Sequence, residues 1–530
     1  MKRRTRQTPV RVYSYGLLPP TIGSDLFHEQ LERAYKYRCA LAKLELARRA
    51  DYREARREVD QMVAETEAAY NLVVEAWGRT KDASIKDDVA AARKRMAVAR
   101  KEAKSNPDLK ERVAELNRKA SDELRRERSV SGLYWGTYGM VEAAAEAARK
   151  ETSDPQIREW DGGGRVGVQI QNNITTDMIQ TGRCQFVRID GLPESSWDTR
   201  SARRHAFTVV RIRVGTVPGG IQPVWVEFPM LMHRPLPPGR VTWAWIKVSR
   251  IGFRRTYTLQ ITVESDSFTA AAQDIGRSGH VDMSLCWLPN SDESIRVGSL
   301  SDGQTFDVPS RIVAKFAHTK TLRSICDRSF NDARLGLIEF MDSHDMVVCP
   351  MWLPKEAENA RHWNRHGKLR YIAQRWAAEV FGRDASELWR EYRDSRKVAG
   401  LELYGSWTSI DIPLQEFCAK RHISRPEDVF ALKLAWWLEQ DTHLTQWECD
   451  QRIKTIRWRR QVYREWAKHT ASRYATISID TVNLADVARQ EDEGNSIRFM
   501  VAPSELRVAM TAAFGKDRVI DRTAAVLEVV

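Results

Sequence analysis

Asp282 and Asp480 are the acidic residues best placed for chemistry in this 530-residue sequence. Asp282 lies in the apolar run HVDMSLCWL, and Asp480 ends TISID, where Ile477 and Ile479 alternate with Thr476 and Ser478. Alternation of this kind predicts strands, so each carboxylate is delivered by one. Ahead of the second strand runs HLTQWECDQRIKTIRWRRQVYREWAKHTASRY, beginning at His443. Its Ile453, Ile456, Tyr463 and Ala467 recur at helical spacing and predict one buried face. Arg452, Arg457, Arg459, Arg460, Arg464 and Lys468 crowd the rest. A basic, tryptophan-bearing helix feeding a carboxylate-bearing strand suits nucleic-acid work. The competing reading is an ordinary helix–strand unit with a solvated charged face.

Other constellations point away from common chemistries. His362 and His366 stand four apart, as zinc ligands of a metalloprotease helix do, but Trp363 occupies the place of the required glutamate. A basic helix surface is expected there instead. Gly162, Gly164 and Gly167 spell GxGxxG, yet the strand-like residues follow the glycines instead of preceding them, which predicts a turn opening a sheet. The 7 cysteines include no CxxC pair, which argues against zinc and against a disulfide scaffold and fits a reducing cytosol. Neither GxSxG nor a Walker A motif occurs.

The charge balance names a partner class. Lys and Arg total 84 against 71 acidic residues, a net charge of +13, which points to a polyanion and first to nucleic acid. The 18 tryptophans include potential base-stacking platforms, although most are expected in cores. No apolar run approaches the roughly 20 residues of a membrane span, and MKRRTRQTPVRV lacks the apolar segment of a signal peptide. A soluble intracellular protein, not bound to membrane, is expected.

Three kinds of segment must position these residues. After a basic arm over 1–10 and a short strand at Val10–Tyr15, an Ala/Leu/Glu/Arg/Lys-rich stretch from Ser24 to about Lys150 predicts at least three long helices. Breaks are expected near Gly78–Asp82 and at Ser105-Asn106-Pro107. Such a stretch reads either as a solvated coiled coil or as an arm along phosphates. Alternating runs then follow at Val166–Ile170, FTVVRIRV, VWVEFPMLM, VTWAWIKV and TYTLQITV, separated by turns. They predict an antiparallel barrel or sandwich, flanked by Arg211, Arg213, Lys247, Arg250, Arg254 and Arg255.

The third segment starts near Gly279 with the Asp282 strand. Short strands at Val297–Leu300 and Phe306–Val308, a helix from Thr319 to about Asp342 and a strand at Met346–Trp352 are expected next. Helices over Lys355–Gln440, the basic block, the helix PSELRVAMTAAF and the strand RVIDRTAAVLEVV complete it. That is an RNase H-like order. Nucleases of this kind clamp two Mg²⁺ ions roughly 3.5–4 Å apart and use at least three acidic side chains. Asp282 and Asp480 fit the first two catalytic, metal-ligating positions.

A helical arm near an N-terminal strand, then a barrel, then an RNase H-like domain resembles the compact type V CRISPR effectors and the related TnpB nucleases. HVDMSLCW resembles the first RuvC motif, with Ser284 in place of its usual glycine, and TISIDTVNL the second, with Asp480 in place of its usual glutamate. LYWGTY, WDGGGRVGVQIQ, FTVVRIRV and APSELRVAM are similar to subtype V-M, whose guided complexes bind and silence DNA without cutting it. The resemblance implies a multidomain α+β protein. It would comprise a basic arm and first wedge strand (1–24), a helical recognition lobe (25–155), a β-barrel wedge domain (156–275) and a RuvC domain (276–530) with a helical insertion at 355–440. It implies a guide RNA, a double-stranded DNA target with a flanking motif, Mg²⁺ as a candidate ion, and a prokaryotic cytoplasmic, nucleoid-associated location. The family normally adds a four-cysteine zinc ribbon and a third aspartate. The chain has no CxxC, and the acidic candidates in its last strand are Asp521 and Glu528, so no zinc and an incomplete nuclease centre are expected. Two alternatives stay open: a guided nuclease that cuts DNA or processes its guide, and an unguided basic DNA-binding protein.

Overall fold

Long helix-forming runs and alternating runs separate along the chain, and the computed structural model follows that division. It describes residues 10–523 apart from 81–82, 150–153, 158, 171–172, 218–219, 266–276, 283–289, 291, 345–348, 383–386, 389, 393, 395–406, 408–410, 482–496 and 498. The expected basic arm over 1–10 therefore falls almost wholly outside the described residues. The fold mixes helices and sheets, and the chain divides into two compact units. One is Met1–Arg250 with Arg255–Thr269, and the other is Ile251–Arg254 with Ala270–Val530.

In the first unit the helical stretch forms α1 (Ser24–Thr80), α2 (Ala83–Ser105), α3 (Pro107–Val130) and α4 (Trp135–Ala148). At 1.5 Å per residue the 57-residue α1 is about 85 Å long. Pro107 at the first turn of α3 forces the break after Ser105, and Asn106 caps the new helix by accepting the Leu109 N–H at 3.0 Å. Much of the arm is polar on every side, and α3 has no buried residue. Ala92, Ala99 and Ala103 of α2 are buried, and an exposed ion pair, Arg100–Glu67 at 3.0 Å, links α2 to α1.

The alternating runs become β1 (Val10–Leu17), β2 (Gly164–Gln169), β3 (Val187–Ile189), β4 (Phe207–Thr216), β5 (Pro223–Leu231), β6 (Arg240–Ile251) and β7 (Arg254–Glu264). They form one antiparallel sheet in the order β2-β6-β7-β1-β5-β4-β3. The N-terminal strand thus lies mid-sheet, paired with β7 and β5. Among the described residues no ladder joins β2 to β3, so the expected barrel is not closed by hydrogen bonds. Val210, Ile212, Val226, Phe228, Ala244, Ile246, Leu259 and Ile261 are fully buried on its inner face, and Phe27 and Leu31 of α1 join this core. The glycine motif does open β2. A Cβ on Gly167 would come within 2.4 Å of the Ala244 carbonyl oxygen, so only glycine allows β2 to lie this close to β6. The base of the arm docks there too, as Thr137 of α4 donates to the Gly167 carbonyl at 3.2 Å.

The second unit contains β8 (Ser278–Asp282), β9 (Ile295–Leu300), β10 (Thr305–Val308), α7 (Ser310–Ser343), α9 (Gly367–Phe381), α11 (Pro426–Ala471), β11 (Thr476–Thr481), α12 (Pro503–Phe514) and β12 (Val519–Thr523). The unit also holds α8 (Leu353–Glu356) and α10 (Asp411–Lys420), and the first unit the short helices α5 (Thr176–Gln180) and α6 (Arg200–Arg204). The sheet order is β10-β9-β8-β11-β12. β8, β11 and β12 run parallel, while β9 and β10 are antiparallel additions. The basic helix is longer than expected and starts at Pro426, with Glu427 and Asp428 complementing the dipole of its first turn. Its Trp436 and Trp437 pack into a helical core with Trp376 of α9, and its Tyr463 and Ala467 into the core under the sheet. The strand expected at Met346–Trp352 is not formed by its described residues, which turn into a short helix at Leu353. Of the last expected strand, residues 524–530 lie outside the described residues.

Candidate carboxylate site and nucleic-acid surfaces

Parallel pairing brings the two aspartates together. Ser278, His280 and Val281 of β8 pair with Thr476, Ser478 and Ile479 of β11, and the same register puts Asp282 beside Asp480. Val281 and Ile479 turn into the core, being 0% and 2% exposed, so the alternate residues line the other face. Three rungs stand on that face. Ser278 and Thr476 hydroxyls meet at 2.8 Å, and His280 Nδ1 lies 2.9 Å from Ser478 Oγ. At the strand ends come the half-buried carboxylates, with His280 Nε2 3.4 Å from Asp480 Oδ1. His280 is a neighbour that the sequence did not single out, although its place two residues before Asp282 on a strand puts it on the same face.

Asp521 is directed elsewhere. It pairs in register with Ile479, on the face opposite Asp480, and its carboxylate is bound to Arg507 of α12. Glu528 lies outside the described residues. Among the described residues no group of three or more His, Cys, Asp or Glu is arranged to hold a metal ion. Mg²⁺ commonly takes one or two carboxylates and keeps several waters, and Asp282 and Asp480 supply two on one face of the sheet. A two-ion centre calls for a further carboxylate that the described residues do not supply.

The arginines of α11 divide by face. Arg459 is only 2% exposed. Its guanidinium meets Glu505 at 2.8 Å and donates to the Met500 and Phe499 carbonyls at 2.8 and 2.5 Å. A side chain committed in this way pins α11 to α12, which corrects its expected place on a phosphate-facing surface. Arg460 is exposed but shares Glu505 at 2.6 Å, and Arg452 pairs with Glu448 at 3.0 Å. Burial alone would raise the Glu505 carboxyl, but Arg460 and Arg459 outweigh it and hold the group below its ordinary range. Arg457, Arg464 and Lys468 are exposed, with spacings of seven and four that keep them on one side of the helix.

In the first unit, Arg211 and Arg213 stand on the outer face of β4. Arg211 meets Glu227 at 2.6 Å and Asp190 at 3.3 Å, and Arg213 donates to the Gly215 carbonyl and the Thr216 hydroxyl. Lys247 is half-buried on β6, and Arg250, Arg254 and Arg255 are exposed around the β6–β7 turn. The same outer face carries tryptophans that composition had assigned mainly to cores. Arg188 lies 4.6 Å over the Trp225 ring and Arg165 5.7 Å over Trp245, which packs edge-on against Trp243. The signal was present in VTWAWIKV, where both tryptophans share a parity with Lys247 and oppose Ala244 and Ile246.

His366 and His362 do not share a helix. His362 ends a 3-10 turn, and His366 precedes α9 with Nδ1 2.8 Å from the fully buried Asp441 and its ring stacked on Phe330. Neither a zinc helix nor a basic helix surface is formed.

The chain carries a parallel-strand aspartate pair, a basic helix, a long helical arm and an antiparallel sheet, the parts on which the resemblance to compact type V CRISPR effectors was drawn. Sequence comparison bears that resemblance out, and with it subtype V-M. The chain is 25% identical over 524 residues to the CRISPR-associated DNA-binding protein Cas12m of Allomeiothermus silvanus, covering 96% of this chain and 86% of that protein. Cas12m of Thermanaerosceptrum fracticalcis is 21% identical over 430 residues, 77% of this chain and 64% of that one. Cas12m of Gordonia otitidis is 24% identical over 457 residues, 76% and 68% of the two chains. No protein-family model matches the chain. Among solved structures, a Cas12f1–sgRNA–target DNA complex aligns at 8% identity with a TM-score of 0.31, covering 97% of this chain and 89% of that one. A Cas12i1 R-loop complex aligns at 8% identity and 0.25, covering 89% and 52%. TM-scores this low add nothing to the fold described above.

Proposed function

We propose that this protein is a CRISPR RNA-guided effector that binds double-stranded DNA and silences it without efficient cleavage. The observation that carries the reading is the similarity along 96% of the chain to a relative named as a DNA-binding protein. In this reading the guide RNA supplies sequence by base pairing, and the protein supplies basic surface and reads a short flanking motif. The open antiparallel sheet acts as the wedge, its Trp225, Trp243 and Trp245 face holding the RNA scaffold. The helical arm acts as the recognition lobe, and the five-stranded sheet as an RNase H-like RuvC domain. Its strand directions and its Asp282–Asp480 rung support that assignment. The setting is the prokaryotic cytoplasm, at the nucleoid. No described helix is long and apolar enough to cross a membrane.

The donor set among the described residues supports weak or absent cutting. Two aspartates offer at most four oxygens, and Asp480 has His280 beside one of its own. A Mg²⁺ ion held by this pair would supply Lewis-acid chemistry toward a phosphate. The aspartate pair also favours a second reading, slow trimming of guide RNA. The protein coexpressed with a CRISPR array should copurify with a discrete small RNA and shift a matched duplex. RNA-free protein binding the same target as tightly and as selectively would refute guidance. In the companion assay, the guided complex meets a matched supercoiled plasmid in Mg²⁺ and then Mn²⁺, and the plasmid should stay supercoiled. Nicked or linear product that disappears in Asp282→Ala would instead establish a guided nuclease. Loss of guide maturation in Asp480→Ala, with DNA binding retained, would establish the trimming role.

A further inference from the structure

Toward the far end of the arm, α1 and α2 enclose a groove of about 510 Å³ lined by Trp77, Lys86, Val89, Arg93, Lys94 and two alanines. Lys86, Ala90, Arg93 and Ala97 recur at spacings of four, three and four, so they stand on one face of α2. The small alanines leave that face open beside the half-buried Trp77. None of the described lining residues is acidic. Lys86, Arg93 and Lys94 are all exposed. Elsewhere on the arm several basic side chains are paired with carboxylates, as Arg49, Arg53, Arg56 and Arg128 are with Asp154, Asp60 and Glu142. These three enter no such ion pair among the described residues. The helix α2 carries seven basic and three acidic residues. The carboxylates of an acidic protein surface would meet the cations but would not stack on the indole. A nucleotide has both.

We infer that this groove binds one unpaired nucleotide of a DNA strand, its base stacked on Trp77 and its flanking phosphates on Lys86, Arg93 and Lys94. Lys86 and Arg93 stand roughly 10 Å apart along the helix, so they bracket the base instead of crowding it. Stacking needs a base freed from its duplex, which makes the occupant single-stranded DNA. The inference rests on the DNA-binding reading proposed above, and two arms of one experiment separate them.

In the first arm the full chain is irradiated with an eight-residue oligothymidylate bearing a central 5-iododeoxyuridine. The cross-link should map to the peptide containing Trp77, vanish in Trp77→Leu and persist in Trp77→Phe. A cross-link confined to other peptides overturns the inference, whether or not guided binding exists. In the second arm the RNA-bound complex meets a matched duplex carrying the same label on either strand. Lys86→Ala/Arg93→Ala/Lys94→Ala should weaken target binding about tenfold while guide RNA copurifies in unchanged amount. Wild-type affinity in that variant, or cross-linking of Trp77 to a 5-iodouridine-labelled guide in place of DNA, would overturn it. A complex that binds no target at all defeats the guided reading and leaves the first arm to decide the groove.

Discussion

At Arg459 the guanidinium gives up water for one carboxylate and two backbone carbonyls. Removing it strands Glu505 with Arg460 alone and leaves two carbonyls of the chain before α12 without their donor. Arg459→Ala should therefore cost on the order of 3–5 kcal/mol, seen as a lower denaturant midpoint. Arg457, two residues earlier, is exposed. Arg457→Ala should shift stability by less than about 0.5 kcal/mol and lower the salt slope of DNA binding by about 0.9. Equal midpoints for the two variants would mean that the burial of Arg459 contributes nothing.

Among the elements, α1 and α4 are joined through Glu45. This carboxylate is 6% exposed and is met by Arg48 and Arg49 of its own helix and by Arg149 at the end of α4, at 2.9, 3.0 and 3.1 Å. Burial alone would raise its pKa, but the arginine hydrogen bonds and charges prevail and bring it down to about 2. A folded-state value below the unfolded one means the stabilisation is complete above about pH 4.5 and is lost as pH falls toward 2. Helical ellipticity of the wild type should fall over that window. In Glu45→Gln this part of the acid transition should be absent, so it should appear in the difference between the two proteins. Superimposable acid titrations would show that Glu45 does not tie the helices together.

For the molecule as a whole, net charge matters through its counterions. A basic surface that neutralises six phosphates predicts a loss of target affinity on the order of a thousandfold between 50 and 200 mM salt. Arg457, Arg464 and Lys468 are the exposed cations on one side of α11. Changing all three to alanine should reduce the slope of log affinity against log salt by about 2.7, at 0.9 for each phosphate no longer neutralised. An unchanged slope would place the DNA path away from this helix. The measurement must be made on the RNA-bound complex, since free protein presents the same cations to any polyanion.

Much of the architecture was legible because backbone geometry writes local periods into sequence. The twofold alternation of FTVVRIRV and VTWAWIKV, the break at Pro107 and the strand ends bearing Asp282 and Asp480 could all be read directly. The helical period of the basic block was legible too, but not its start at Pro426, because the apolar residues of its first half face a different core. Tertiary structure alone decided which strands pair. β1 enters the middle of a sheet whose other strands begin beyond residue 160, and His280 meets Ser478 from 198 residues away. It also decided that Asp521 faces away from Asp480, and that one arginine of a basic run is core while its neighbours are surface. A side chain's type sets what it can do, but its desolvation and its partners come from residues remote in the chain, and no local spacing encodes them.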